Sequence, residues 1–340
     1  MSYAKASESA HRKSDHIQIA LSEDVEYRHV TTGFERYGFT YQALPEISRG
    51  EVDTSVPLFG RRLSIPLVIS SMTGGTPEGA RFNRIFAEAA QRFGLAMGVG
   101  SQRVALENPE LADTFRVRDV APDILLFANL GAVQLNNGCD IESCLRVVEM
   151  IDADALILHL NPLQESAQPG GDTNFRGLAA KIREVCEISE VPVIVKEVGH
   201  GISSRTANLL SEIGVNAIDV AGAGGTSWAK VESYRGTSLG ATLGEWGIPT
   251  AESLLAARNA AASVIIASGG IRTGLDIAKS VAMGAQASGM ALPLLRAAAV
   301  SPDALHELIL RLHDELATVM FCSGARTIEE LRLVGLTGPA

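Results

Sequence analysis

The sequence predicts an α/β protein, a (β/α)8 TIM barrel with an N-terminal extension, and three observations carry that prediction. Eight short apolar runs recur along the chain, glycine-rich or polar loops follow them, and alanine- and leucine-rich segments of helical period fill the intervals. The runs are Pro66–Ser70, Leu95–Val99, Ile124–Ala128, Ala155–His159, Pro192–Lys196, Ala217–Val220, Val264–Ala267 and Ala287–Ala291. They are apolar without alternation, which is the pattern of parallel strands covered on both faces. The helical segments include Gly79–Phe93, Ile141–Ile151, Gly177–Ile188, Ser204–Ile213, Thr250–Ala261 and Leu275–Met283. Eight strand–helix units at regular spacing satisfy closure, so an open doubly wound sheet is the lesser alternative. A chain of 340 residues suits one such barrel with extensions.

Three stretches stand outside the repeat. Residues 1–60 precede the first strand and hold the densest basic and histidine cluster, His11-Arg12-Lys13-Ser14-Asp15-His16. They are expected to form an arm covering the barrel mouth, with the barrel itself over 61–340; a frayed terminus is the plainer reading. The connection Gly222–Pro249 is 28 residues long by count and carries both tryptophans, Trp228 and Trp246, as a lid over a barrel's carboxyl face would. Ser301–Met320 has a helical period behind a Ser301-Pro302-Asp303 start and is expected to pack outside.

Composition narrows the function classes. Basic residues number 29 and acidic residues 39, for a net charge of −10 and a pI near 5.3, which argues against a nucleic-acid partner. Apolar residues make up 46% and charged residues 20%, and no apolar run reaches the roughly 18 residues of a membrane span. The N-terminal segment has no secretory core, and Cys139, Cys144, Cys186 and Cys322 form no CxxC pair, so a reducing, cytoplasmic setting is expected.

Residues just past the strands of a barrel share one pocket, and the chemistry is sought there. After the seventh and eighth strands, Ser268-Gly269-Gly270-Ile271-Arg272-Thr273-Gly274 and Gly289-Met290-Ala291-Leu292-Pro293 each open a helix, which is the make-up of a phosphate cradle. Glycines serving only tight turns are the alternative. A flavin mononucleotide suits such a cradle, and Ser71-Met72-Thr73, Ser101, Asn129 and Lys196 supply polar groups for its ring and ribityl chain. Lys196 ends an apolar strand and needs an electron-rich partner; a salt bridge to Glu197 or another acid at the barrel mouth competes with the flavin. His159-Leu160-Asn161-Pro162-Leu163-Gln164-Glu165 is the densest polar run at any strand end. Glu165 suits Mg2+ shared with substrate oxygens, against the readings of a core histidine and a solvated glutamate. Arg12, Lys13 and His16 with Arg103 can clamp a multiply charged anion, unless the arm is merely a solvated basic tail.

Taken in order, these motifs resemble the type II, flavin-dependent isopentenyl-diphosphate isomerases. The resemblance runs through Arg12-Lys13-x-Asp15-His16, Met72-Thr73-Gly74-Gly75, Gly100-Ser101-Gln102-Arg103, His159 to Glu165, Val195-Lys196-Glu197-Val198-Gly199, Ala223-Gly224-Gly225-Thr226-Ser227-Trp228 and Gly269-Gly270-Ile271-Arg272-Thr273. Asp15 departs from it, where glutamate is more usual. The resemblance implies interconversion of isopentenyl and dimethylallyl diphosphates, with FMN, with Mg2+ on the diphosphate, and with NADPH or another reductant. It implies FMN contacts from Ser71, Met72, Thr73, Ser101, Asn129, Lys196, Thr226, Gly270, Ile271, Arg272, Ala291 and Leu292, the last two resting only on their offset from Gly270. It implies substrate contacts from Arg12, Lys13, Ser101, Gln102, Arg103 and Gln164, and Mg2+ at Glu165. His159, Asn161 and His16 then stand near the diphosphate, Gln164 and His159 are the catalytic candidates, and the assembly is a homo-tetramer or homo-octamer.

Moving a double bond by one carbon takes one proton on and another off, through a cation-like state. The strand ends show no paired acids for this, so reduced flavin is the expected acid and base, with Gln164 positioning the alkene or relaying the proton. A 2-hydroxy acid oxidase barrel is the first rival. It needs an Asn-His-Gly-x-Arg loop after a late strand, and Val220–Trp228 has no histidine, while Val198-Gly199-His200-Gly201 lacks the arginine. A non-catalytic barrel binding a phosphorylated ligand is the second, and it leaves Lys196, Glu165 and the arm cluster unexplained.

Overall fold

All eight expected runs are strands of one closed parallel barrel in the computed structural model, which describes residues 2–260 and 264–338, with side chains from Arg12 onward. Before the barrel comes an antiparallel hairpin of β1 (Val56–Leu58) and β2 (Arg61–Leu63). The barrel strands are β3 (Leu67–Ile69), β4 (Ala96–Gly98), β5 (Leu125–Gly131), β6 (Ala155–Leu160), β7 (Val193–Glu197), β8 (Ala217–Asp219), β9 (Val264–Ser268) and β10 (Ala287–Met290). They pair in sequence order, and β10 closes onto β3 through Ser288–Leu67, Gly289–Val68 and Met290–Ile69. Leu67, Ile69, Met97, Leu125, Leu126 and Phe127 are fully buried, which is why these runs lack polar alternation.

Register decides which side chains meet. Gly131, His159, Lys196 and Asp219 are successive Cα partners across β5, β6, β7 and β8, so one rung near the carboxyl ends carries a histidine, a lysine and a carboxylate side by side. The outer helices begin where their caps predict. Thr76 accepts the Gly79 N–H at 3.0 Å to start Pro77–Phe93, and Gly94 ends that helix in the left-handed region at φ 62°. Asp140 caps Ile141–Ile151, and Thr273 with Asp276 forms a capping box on Gly274–Ala282. The expected helix from Thr250 is present over Thr250–Asn259, while Ala261 lies outside the described residues, as does the side chain of His11 in the arm cluster. Pro302–Cys322 packs on the outer helices Gly274–Ala282 and Leu292–Val300.

Elsewhere the chain is more structured than the sequence pattern suggested. The hairpin turns at Phe59 (φ 44°) and Gly60 (φ 78°), so the expected division at residue 60 falls inside it. Ser2–Ser22 is a helix, and short helices at Arg103–Glu107, Pro162–Ala167, Trp228–Ser233 and Leu239–Leu243 occupy stretches with too few residues for a readable period. No helix among the described residues is long and apolar enough to cross a membrane.

Candidate active site

The carboxyl ends of the strands open into a cavity of about 260 Å3, and every candidate site residue except Gln102 lines it. One side is built from the loops after β3, β9 and β10. Ser71, Met72, Thr73, Gly270, Ile271, Arg272, Ala291 and Leu292 line it there, with Thr226 also in the lining. Lys196 reaches it from β7, and Asn129 and His159 from β5 and β6. The rest of the lining comes from Arg12, Lys13 and His16 of the N-terminal helix, which also contacts the helix Leu292–Val300, and from Ser101, Arg103, Asn161, Gln164 and Glu165.

Gln102 corrects the sequence reading. Its side chain is fully buried behind the wall, where its amide donates to the Val147 carbonyl at 2.8 Å and its oxygen accepts the Asn129 N–H at 2.9 Å. It ties β5 to the helix outside and does not line the cavity. Its neighbours Ser101 and Arg103 point the other way, into the cavity.

Hydrogen bonds orient the polar groups. Asn129 donates its amide to the Val99 carbonyl at 3.0 Å, which leaves its oxygen to accept from His159 Nδ1 at 2.8 Å. Burial, with Lys196, Arg103 and Lys13 nearby, pushes the His159 imidazole down to about 4. It is therefore neutral at pH 7, protonated on Nδ1 and bare on Nε2. Asn161 donates to Gln164 Oε1 and Glu165 Oε1, each at 3.0 Å, while Gln164 Nε2 lies 3.4 Å from Glu232. Glu165 Oε2 accepts the Asp172 N–H at 2.7 Å.

Charge is distributed unevenly. Lys196 pairs with Asp219 at 3.1 Å, so the salt-bridge alternative is realised, though not with Glu197, whose carboxylate accepts the N–H groups of Val198, Gly199 and His200. Arg272 pairs with Glu26, which also holds Arg296 at 2.9 Å. Arg103 meets Asp172 at 3.1 Å. Lys13 instead donates to the carbonyls of Gly74 at 3.0 Å and Ser101 at 2.6 Å. Burial and the charges of Arg12 and Arg103 lower its ammonium to about 7. Burial, followed by Arg103, also lowers the Arg12 guanidinium. His16 donates to the fully buried Glu232 at 2.9 Å and stands edge-on to Trp228 at 5.0 Å. Burial pushes the Glu232 carboxyl up, but His16 and Arg235 outweigh it and hold the group below the usual carboxylate range.

Asp219, Glu26, Asp172 and Glu232 escaped the sequence reading. Asp219 was within reach, because it is the one polar residue in the apolar run Ala217–Val220. The others sit in loops and short helices, and Glu232 is 216 residues from His16, so local pattern carries no sign of them. His200, the rival's nearest histidine, bonds Tyr27 at 2.8 Å and the Trp246 carbonyl at 2.9 Å, away from the cavity wall.

The residues present fit a flavin nucleotide. Ser70 Oγ and Ser71 Oγ are buried at the cavity without a partner. Helix Leu292–Val300 starts at Ala291 with no side-chain cap, which leaves its N–H groups for an anion. Gly269 and Gly270 have φ of 99° and 74°, and a Cβ on Gly270 would meet the Gly224 carbonyl oxygen at 2.6 Å, so this cradle admits only glycine. Magnesium fits a smaller oxygen set, the oriented Glu165 carboxylate beside the buried, unpartnered Asn161 Oδ1. No cluster of three or more His, Cys, Asp or Glu ligands occurs among the described residues.

Known proteins agree with this architecture. The family model for FMN-dependent dehydrogenases matches residues 6–112 and 162–335. A Nostoc protein named isopentenyl-diphosphate delta-isomerase is 54% identical over 95% of this chain and 94% of its own. Proteins of the same name from Synechococcus and Rickettsia bellii are 52% and 48% identical, the former over the full length of both chains and the latter over 94% of this chain and 95% of its own. Among solved structures, a mandelate oxidase variant with an FMN adduct superposes with a TM-score of 0.64 at 19% identity, over 91% of this chain and 90% of its own. A flavocytochrome b2 variant superposes with a TM-score of 0.67 at 17% identity, over 95% of this chain and 82% of its own, and at such identity these two speak for the fold alone. With a cavity built for a flavin and relatives of this identity along nearly its whole length, the chain belongs to the type II, FMN-dependent isopentenyl-diphosphate delta-isomerases.

Proposed function

We propose that the cavity interconverts isopentenyl and dimethylallyl diphosphate between two differently charged walls. The observation that carries this reading is the cation cluster of Arg12, Lys13 and Arg103, which lines the same cavity as the glycine cradle. Ser71, Thr73, Lys196, Gly270, Arg272 and the open helix start at Leu292 would hold FMN, leaving the diphosphate to the arm side. When reduced, the bound flavin supplies the proton donor and acceptor that the side chains lack. Glu165 would hold Mg2+, which neutralises charge on the diphosphate.

The chain's own residues do the rest. Arg12, Lys13 and Arg103 bind the diphosphate, and His16 secures the N-terminal helix to Glu232. His159 is neutral with its Nε2 lone pair free, so it accepts a hydrogen bond from a protonated group or takes up a proton when the diphosphate arrives. Gln164 is held from both ends by Asn161 and Glu232, which fixes its amide where it can position the alkene. Residues 1–60 then act as an arm that closes the mouth, and diphosphate should protect residues 1–20 from proteolysis. NADPH as reductant, a cytoplasmic setting and a homo-tetramer or homo-octamer complete the reading.

An anaerobic assay of the FMN-loaded protein with isopentenyl diphosphate and Mg2+, with and without NADPH, tests it. Dimethylallyl diphosphate formed only with reduced flavin, without stoichiometric NADPH consumption, is the expected result. Absence of product, together with flavin reduction by a 2-hydroxy acid, would overturn it.

A further inference from the structure

Lys196 faces the cavity, and Asp219 stands behind it. The two are register partners on β7 and β8, their charged atoms are 3.1 Å apart, and both side chains are almost wholly buried. Ser268 on β9 donates its hydroxyl to Asp219 Oδ1 at 2.5 Å and lies 3.4 Å from Lys196 Nζ. Lys196 and Ser268 line the cavity, whereas Asp219 does not. On the other side of Lys196 in the same rung is His159, which is neutral.

A buried ion pair costs the desolvation of both partners, and a neutral donor at the end of β7 would offer a ligand a hydrogen bond without that cost. The chain keeps the lysine and fixes a carboxylate on its far side, making a dipole whose positive end points into the cavity. Two-electron reduction places negative charge on a flavin ring, so a nearby positive charge favours the reduced form and a counter-charge behind it weakens that effect. We infer that Asp219 is a tuning residue, which sets how strongly the Lys196 charge acts on the bound flavin and hence how readily that flavin is reduced. The inference rests on the placement of FMN beside Lys196 proposed above.

The test is an anaerobic potentiometric titration of the full-length, FMN-loaded protein with dithionite and a reference dye. Asp219→Asn should favour reduced over oxidised flavin by about tenfold, roughly 30 mV more positive for a two-electron couple. Asp219→Ser should shift it in the same direction, and serves if the asparagine variant does not load. Lys196→Met should shift the potential the other way. If Lys196→Met leaves the potential unchanged, the flavin does not lie beside Lys196 and the placement itself fails. If Lys196→Met moves the potential while Asp219→Asn and Asp219→Ser leave it unchanged or lower it, only the role given to Asp219 is overturned.

Discussion

Lys196 and Lys13 are two lysines at one cavity, and their surroundings are opposite. Lys196 sits in the barrel wall with Asp219 fixed beside it by strand register. Lys13 sits on the N-terminal helix, held by two carbonyl oxygens, near Arg12 and Arg103, and lowered by burial and those cations to about 7. A cation with a built-in counter-charge is a standing part of the site's field. One surrounded by carbonyls and other cations is under-compensated until an anion arrives. The wall therefore suits a resident cofactor, and the arm suits a diphosphate that comes and goes.

Gln164 shares Glu232 with His16 of the arm, and its removal should have the largest effect. Gln164→Ala should lower kcat about a hundredfold with FMN still bound, as loss of positioning does; turnover within a factor of a few of the parent would remove Gln164 from the mechanism. Lys13→Met should come next, raising KM by about 10- to 100-fold, the worth of one charge-assisted contact, while flavin content stays at the parent level. Loss of flavin from that variant would erase the distinction between wall and arm.

The same lysine predicts a pH dependence. A diphosphate binds the ammonium form, so the bound pKa lies above the free value of about 7. Affinity is then complete below pH 7 and falls by up to about tenfold per unit as pH rises through that value, until the bound pKa is reached. A kcat/KM profile measured between pH 6 and 9 checks this, and a profile that rises across that range contradicts it. The smallest catalytic effect is expected at Gln102, which belongs to the wall's support. Gln102→Ala should cost about 1–3 kcal/mol of stability by stranding the buried Asn129 N–H, yet leave KM within about twofold. Thermal unfolding and steady-state kinetics together separate this outcome from a substrate contact.

Much of the barrel was legible because each strand must be apolar on both faces, and each helix announces itself by period and cap. Ile141–Ile151 was located to the residue for that reason. The hairpin β1–β2 was missed because three-residue strands around Phe59-Gly60 show no alternation and lack the usual Asn-Gly turn. The site was legible as a set of residue types at strand ends, which motif order alone brought together. The side chain of Gln102 lies off the cavity, and sequence does not say which of Ser101, Gln102 and Arg103 turns inward.

The amino-acid order by itself determined the eight βα units, the glycine cradle, and the presence of cations on the arm and at strand ends, because these follow from local pattern and composition. Only the tertiary structure decided which carboxylate each cation meets: Asp219 for Lys196 through register, Glu26 for Arg272 and Glu232 for His16 across more than 200 residues of chain. Pairing energies depend on distance and burial, and closure of the barrel sets both.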